Sequence, residues 1–496
     1  MAVKARLAKG ATWIVAARLL TNLLTVATTV ALARFLAPSD FGLVAIATAV
    51  VTVLNSVTDL SLSASLIQHR APTPEHYHTA WTLGLIRGAV ATAVCCGLAW
   101  PVAELYREPR LIGVMIALGF GMLLSGVPNP RALLFTKQLI FRQQALQQLA
   151  QKTAVLAVAV AIALLMHSYW ALVWGTIAGQ FTATAISFAI LPYRPRLSIK
   201  HYRDILDFSV WMSLFQLINT INWRFDQLLI GGIVGQGALG YYGVAENLAA
   251  IPTREATAPF AAILFPGFSN LIDAPRRLAA AYQSAQALVT AIALPAGVGM
   301  ALLAEPVIRL TIGAKWLPSV FPVQVLAAVF ALQTLGTLSQ PLAMAAGQTK
   351  LIFYRSLQSF VVRLPFVIVG ALLAGLNGII WARAAAAIVD ILFHLWVVRW
   401  VTGLTLVRQL RVNLRTLAST TVMVGVVQLL SSYTWDGSST FSLAAEILAL
   451  GAAGVATYVI FDIAVWSLSG RPDGPEVEII RILKSLSSRG AIAEPT

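Results

Sequence analysis

"LARFLAPSDFGLVAIA", residues 32–47, sits between two long apolar runs, and a near copy, "IGGIVGQGALGYYGVA", returns at residues 230–245. Both stretches set small, turn-favouring residues between apolar flanks. Laying one on the other takes a constant offset of 198 with no gap, and this pairs Trp13 with Trp211, Leu19 with Leu217, Gly42 with Gly240 and Ala47 with Ala245. A register held over roughly 35 residues points to a duplicated unit, a common construction among membrane transporters.

The flanks of the repeat decide the solvent. The chain has 496 residues, 58% hydrophobic and 11% charged, with a mean hydropathy of +0.78, whereas a soluble domain is about one quarter charged. This is the composition of an integral membrane protein. Its apolar runs last roughly 20 to 25 residues without period-two alternation, a length that crosses a ~30 Å hydrocarbon layer only as helix, so a β-barrel is excluded. Runs bounded by charge, Pro or Gly predict spans at 11–33, 42–66, 79–103, 111–134, 145–166, 169–191, 207–231, 238–263, 284–309, 318–345, 351–375, 378–401, 412–432 and 441–468. The chain is therefore all-α with fourteen transmembrane helices. It divides into an N-terminal lobe at 1–191, a linker with amphipathic character at 192–206, a second repeat at 207–469 and a polar tail at 470–496.

Orientation follows from Lys and Arg, which are enriched in loops kept in the cytoplasm. Loops on the side of the termini and the linker hold 22 of them, and the opposite loops hold 5, namely Arg34, Arg107, Arg110, Arg309 and Lys315. Both termini are predicted to be cytoplasmic. The net charge of +15 is thus spread over a topology rule, whereas a nucleic-acid partner needs a concentrated basic face. The first run is too long for a cleaved signal and carries Arg18, so it is an uncleaved span. Cys95 and Cys96 lie side by side within the third span, where they are packing residues.

Catalytic machinery has no place to sit. No segment outside the spans exceeds roughly 30 residues, and turns such as "HSYW" at 167–170 and "LNG" at 376–378 are short. A membrane polymerase or ligase would need a larger external loop. His76 and His78 do not have helical metal spacing, and no Walker loop, nucleophile elbow or dinucleotide fingerprint occurs. No catalytic residue, metal or cofactor is expected.

Polarity inside the spans carries the functional signal. Eight basic residues lie there (Arg18, Arg87, Lys152, Arg224, Arg254, Arg355, Arg363 and Arg383), with the acids Asp59, Asp226, Glu246, Glu255, Asp390, Glu446 and Asp462. A charge at membrane depth costs at least ~2.5–3.5 kcal/mol, so each faces a partner or a water-filled cavity. Arg18, Thr21, Asn22, Thr25 and Thr29 recur at helical spacing as one stripe, and Ser209, Gln216, Asn219, Asn222 and Asp226 cluster within about 140° of arc. The offset maps Arg18 onto Gln216 and Thr21 onto Asn219. Two readings compete: equivalent helices lining a cavity around a pseudo-two-fold axis, or hydrogen bonding between helices. Arg18 and Asp226 favour the cavity.

Arg224 and Asp226 project about 200° apart, so each needs its own partner. Arg383, Asp390 and His394 lie within about 40° of one another on one helix, as a structural ion pair would, and Arg355 and Arg363 share a face before Pro365. Arginine offers a planar fork of donors that matches phosphate oxygens. An arginine-rich cavity therefore suits an anionic, phosphate-bearing cargo better than a cationic drug.

"LARFLAPSDFGLVAIA", "SLIQ" after the second span, "RFDQLLIGGIVGQGALGYYGVAENL", "LFPGFSNL", "IGAKWLPSV" and "MAAGQTKL" together resemble the polysaccharide transporter family, oligosaccharide-lipid flippases related to MATE multidrug exporters and lipid II flippases. The resemblance runs over about residues 4 to 470 and rests on the order of the motifs. It implies two pseudo-symmetric seven-helix lobes around a central cavity that opens alternately to each side of a bacterial inner membrane. The implied cargo is a polyprenyl-pyrophosphate-linked oligosaccharide bound for exopolysaccharide, capsule or O-antigen, with a polysaccharide polymerase or export machinery as partner. Helices 1, 2, 7 and 8 line the cavity in such relatives. Candidate cargo contacts are Arg18, Asn22, Asn219, Asn222, Arg224, Arg254 and Arg363, and candidate ion-coupling acids are Asp59, Asp226 and Glu246. The alternatives are a MATE-like exporter of small organic cations and a polysaccharide polymerase or ligase.

Overall fold

A computed structural model describes residues 2–58, 66, 73–137, 141–202, 209–433, 439–470 and 474–476. The regular structure of the described residues is all helical: α1 (Ala2–Phe35), α2 (Pro38–Thr58), α3 (Pro74–Leu105), α4 (Arg110–Gly126), α5 (Phe141–Met166), α6 (Trp170–Ile190), α7 (Ser209–Leu229), α8 (Gln236–Ser269), α9 (Pro275–Leu302) and α10 (Val320–Gln333) come first. The long segment Thr349–Thr402 is broken at Ala374 and Gly375 into α11 (349–373) and α12 (376–402), followed by α13 (Leu414–Ser431) and α14 (Thr440–Leu468). Among the described residues, nine helical stretches are long and apolar enough to cross a membrane. The chain is a multi-pass membrane protein.

Local chemistry sets the ends of these helices. Pro38, Pro74 and Pro275 open α2, α3 and α9, where the missing N–H costs nothing. Asp40 accepts from the Ala37 N–H at 3.0 Å, and Ser439 accepts from the Ser442 N–H to cap α14. The break between α11 and α12 falls on Gly375 at φ +55, a conformation that side chains resist. The predicted span 111–134 is shorter than expected: α4 stops at Gly126 because Pro128 and Pro130 block a continued helix.

Two compact units follow, Met1–Gly243 and Val244–Thr496. In the first, α1, α5 and α6 enclose Leu32, Leu36, Ala159, Ala163 and Ala171, and α2 packs on α4 and α7. In the second, α9 packs against α10 and α13, and α13 against α14; Met423, Val427 and Leu450 form one apolar cluster. The sequence repeat starts its second copy at α7, but the packing keeps α7 in the first unit.

The two copies of the repeated stretch meet inside that first unit. A Cβ on Gly42 would run into the backbone carbonyl of Gln236, and a Cβ on Gly240 into that of Pro38. Gly240 and Gln236 are the offset partners of Gly42 and Pro38, so the contact is reciprocal. The start of α2 and the start of α8 cross at two glycines around a local two-fold axis.

Candidate functional site

The stripe on α1 is partly satisfied by its own backbone. The hydroxyls of Thr21, Thr25 and Thr29 donate to the carbonyls of Arg18, Thr21 and Thr25 at 3.0, 2.8 and 3.0 Å. These hydroxyls need no cavity water. Arg18 and Asn22 on the same stripe are both half-buried, and the Asn22 Nδ2 is shielded without a hydrogen-bond partner.

The α7 stripe is more deeply set. Between Gln216 and Gln227, α7 carries seven polar residues in twelve, and Thr220, Asn222, Asp226 and Gln227 are buried, Asp226 at 1% exposure. Asn219 and Arg224 are half-buried. Each charge finds its own partner, as their angular separation requires. The Arg224 Nη1 donates to Gln227 Oε1 at 3.0 Å, and the Tyr242 hydroxyl, on α8, donates to Asp226 Oδ2 at 3.4 Å. A further bond, 2.7 Å between the hydroxyls of Ser56 and Thr220, ties α2 to α7.

In the second unit charged side chains on the predicted faces are tied to other helices. Arg383 reaches across to Glu246 on α8, Nη1 to Oε1 at 2.7 Å with side-chain exposures of 6% and 15%, while its guanidinium lies 5.5 Å over the Phe330 ring. His394 is held by Ser339 and by Arg355. Arg383 and His394 thus each have a partner on another segment of the chain. Arg254 contacts the adjacent Glu255 at 3.2 Å on a half-exposed surface, and Arg363 is half-buried on α11. Asp59 lies outside the described residues. Among the described residues no group of three His, Cys, Asp or Glu has metal-holding geometry.

Sequence reading passed over a cluster beside the repeat. Arg110 donates to both oxygens of Glu108, Nε to Oε1 at 2.7 Å and Nη2 to Oε2 at 2.9 Å, and Gln236 Nε2 donates to Oε2 at 2.9 Å. Arg110 also lies 5.8 Å over the Tyr169 ring. The only sequence signal was the short spacing of "REPR" at 107–110. These bonds, led by that from Arg110, hold the Glu108 carboxyl down at about 2, below the ~4.3 of an unfolded glutamate. The stabilisation is thus complete above about pH 4.3 and is lost as pH falls toward 2. Glu108→Gln should flatten the fall in melting temperature between pH 5 and pH 3, a small effect because the pair is partly solvated; parallel melting curves for parent and variant across that window would refute it.

Residues 31–321, more than half of the chain, match the family model described as a polysaccharide biosynthesis protein. The chain belongs to this family. Among its relatives, the lipopolysaccharide biosynthesis protein WzxC of Escherichia coli strain K12 is 24% identical over 388 residues, covering 76% of this chain and 78% of the relative. The succinoglycan biosynthesis transport protein ExoT of Rhizobium meliloti is 25% identical over 411 residues, covering 80% and 81%. Among solved structures, the lipid II flippase MurJ in an inward closed conformation superposes with a TM-score of 0.74 over 91% of this chain and 98% of its own, at 15% identity. An inward-facing MATE multidrug transporter superposes at 0.59 over 78% and 96%, at 14% identity. The polysaccharide biosynthesis family member described here thus has the fold shared by lipid II flippases and MATE transporters.

Proposed function

We propose that this chain is a flippase of the bacterial cytoplasmic membrane that turns polyprenyl-pyrophosphate-linked oligosaccharide repeats over for exopolysaccharide, capsule or O-antigen assembly. The observation that carries the reading is a fold shared along 91% of the chain with a lipid II flippase, in a member of a polysaccharide biosynthesis family. The chain crosses the membrane fourteen times with both termini in the cytoplasm, by the 22-to-5 asymmetry of Lys and Arg. It works by alternating access, without catalysis of its own, and hands its product to a polymerase. Loss of the gene should abolish the surface polymer while the lipid-linked repeat accumulates. Drug sensitivity with intact polysaccharide in the same strain would move the assignment to a multidrug exporter.

Cargo phosphates and acidic sugars meet Arg18, Arg224, Arg254 and Arg363, with Asn22, Asn219 and Asn222 beside them. Arg18 is the sharpest test, because the neighbouring threonines are satisfied within α1. A pyrophosphate held by a guanidinium fork loses bidentate geometry with lysine and charge with glutamine. Arg18→Lys should slow export several-fold and Arg18→Gln at least tenfold at parental protein level, a loss of about 1.4 kcal/mol or more. Normal export by both variants removes Arg18 from the contacts.

For ion coupling, Asp59, Asp226 and Glu246 are the acids to test. Glu246 takes part in coupling only by exchanging Arg383 for the ion. Asp226, bonded by a neutral tyrosine hydroxyl, has no such exchange to make with Tyr242.

A further inference from the structure

Residues 192–199, one residue past the end of α6, run as an extended strap along the start of α3 and pass into a turn at 200–202. The strap has two sides. Its inner side is bonded at every second or third residue: the Tyr193 hydroxyl donates to His78 Nδ1 at 2.8 Å, the Arg196 N–H reaches the same nitrogen at 3.2 Å, and the Ser198 N–H donates to Thr82 Oγ1 at 3.0 Å. Further along, the His201 ring stacks on His76 with centroids 3.9 Å apart. Burial pushes the Tyr193 hydroxyl up to about 12, so it stays a donor to His78.

The outer side is a different surface. Arg194, Arg196 and Lys200 are exposed, and between them Leu197 and Ile199 stand out with 76% and 60% of their surface uncovered, followed by Tyr202 at 41%. Among the strap's described residues no acid stands on this side; Glu75 of α3 faces the inner side, where it accepts from the Ser198 hydroxyl at 3.4 Å. Cations interleaved with exposed aliphatic side chains, at the end of a membrane helix, match a lipid interface: the aliphatic groups enter the headgroup boundary and the cations meet anionic headgroups.

We infer that the outer side of residues 194–202 docks on the anionic lipid leaflet next to it, with α3 holding the strap in register. The surface uses none of the residues proposed as cargo contacts, and the inference does not depend on which face of the membrane the strap occupies. Its partner is anionic phospholipid, and each of the three cations is worth roughly fivefold in affinity for such a surface at low salt. Salt at 1 M, where the screening length falls to about 3 Å, should erase that part.

The test uses full-length protein in which Cys95 and Cys96 are replaced by alanine, carrying one spin label at Leu197→Cys, Ser198→Cys or Ile199→Cys. The protein is reconstituted in vesicles of equal phosphatidylglycerol and phosphatidylcholine, or of phosphatidylcholine alone. Expected in the anionic vesicles are labels at 197 and 199 that relax faster with oxygen than with a water-soluble nickel chelate, and a label at 198 shielded from both. Phosphatidylcholine, 1 M salt, or the triple change Arg194→Gln, Arg196→Gln and Lys200→Gln should each shift 197 and 199 toward the chelate. Chelate-accessible labels at 197 and 199 in anionic vesicles would overturn the proposal. So would lipid immersion that ignores lipid charge and the triple change, or labels shielded in native membranes but chelate-accessible in anionic vesicles, which would mark a protein partner.

Discussion

Arg383→Met is expected to lower the yield of folded, monodisperse protein severely, and Arg383→Met with Glu246→Gln together to restore much of it. The pair is close, 2.7 Å, and both side chains are largely excluded from solvent. Removing one member takes this match away from a largely desolvated charge, which costs up to about 3–5 kcal/mol, whereas removing both charges costs far less. Glu246→Gln alone should fall between these cases, since a neutral amide can still accept from the guanidinium. Fluorescence-detected size exclusion over a heating series in one detergent reads all four proteins. An equally harmful double change would mean that the Arg383 stem packed on Phe330, and not the charge match, carries the stability.

Gly42→Ala and Gly240→Ala should each damage the protein, by similar amounts, and more than alanine at Gly237 or Gly243. At the first two positions the new Cβ meets a backbone carbonyl, whereas at the latter two nothing stands within 4 Å. A backbone cannot rotate aside as a side chain can, so the two helix starts must separate. Overpacking of this kind costs typically about 1–3 kcal/mol, and valine should be worse than alanine. Melting temperatures of the four alanine variants settle it, and unaffected stability at Gly42 or Gly240 would show that the crossing yields easily.

The repeat was legible because small residues at 198-residue spacing are a one-dimensional signal, and the all-helical, multi-pass character because burial in lipid leaves uninterrupted apolar runs. The polar face of α7 was legible for the same reason: Asn222 and Asp226 break a run that would otherwise be apolar. Partner choice was not. Glu246 and Arg383 are 137 positions apart, and their pairing depends on which helix faces which, a matter of tertiary packing that periodicity within one helix does not encode. The threonines of α1 show the opposite failure. Their spacing marks a face, but a hydroxyl in a helix can always turn to the carbonyl one turn back, so spacing alone overstates how much of that face seeks a ligand.

The crossing of α2 and α8 has the geometry of an isologous dimer interface written into one polypeptide: the same patch meets itself, with residue 42 against residue 236 and residue 240 against residue 38. A homodimer obeying this rule suffers every substitution twice, since both subunits carry it. Fusion of the copies removes that obligation. Each half of the contact is now free to change alone, so a bulkier residue at position 42 can be answered by a change at Gln236 that leaves Gly240 and Pro38 as they are. A symmetric contact thereby becomes one at which the two sides of a transporter can acquire different mobility, something no two-fold pair of identical subunits can do.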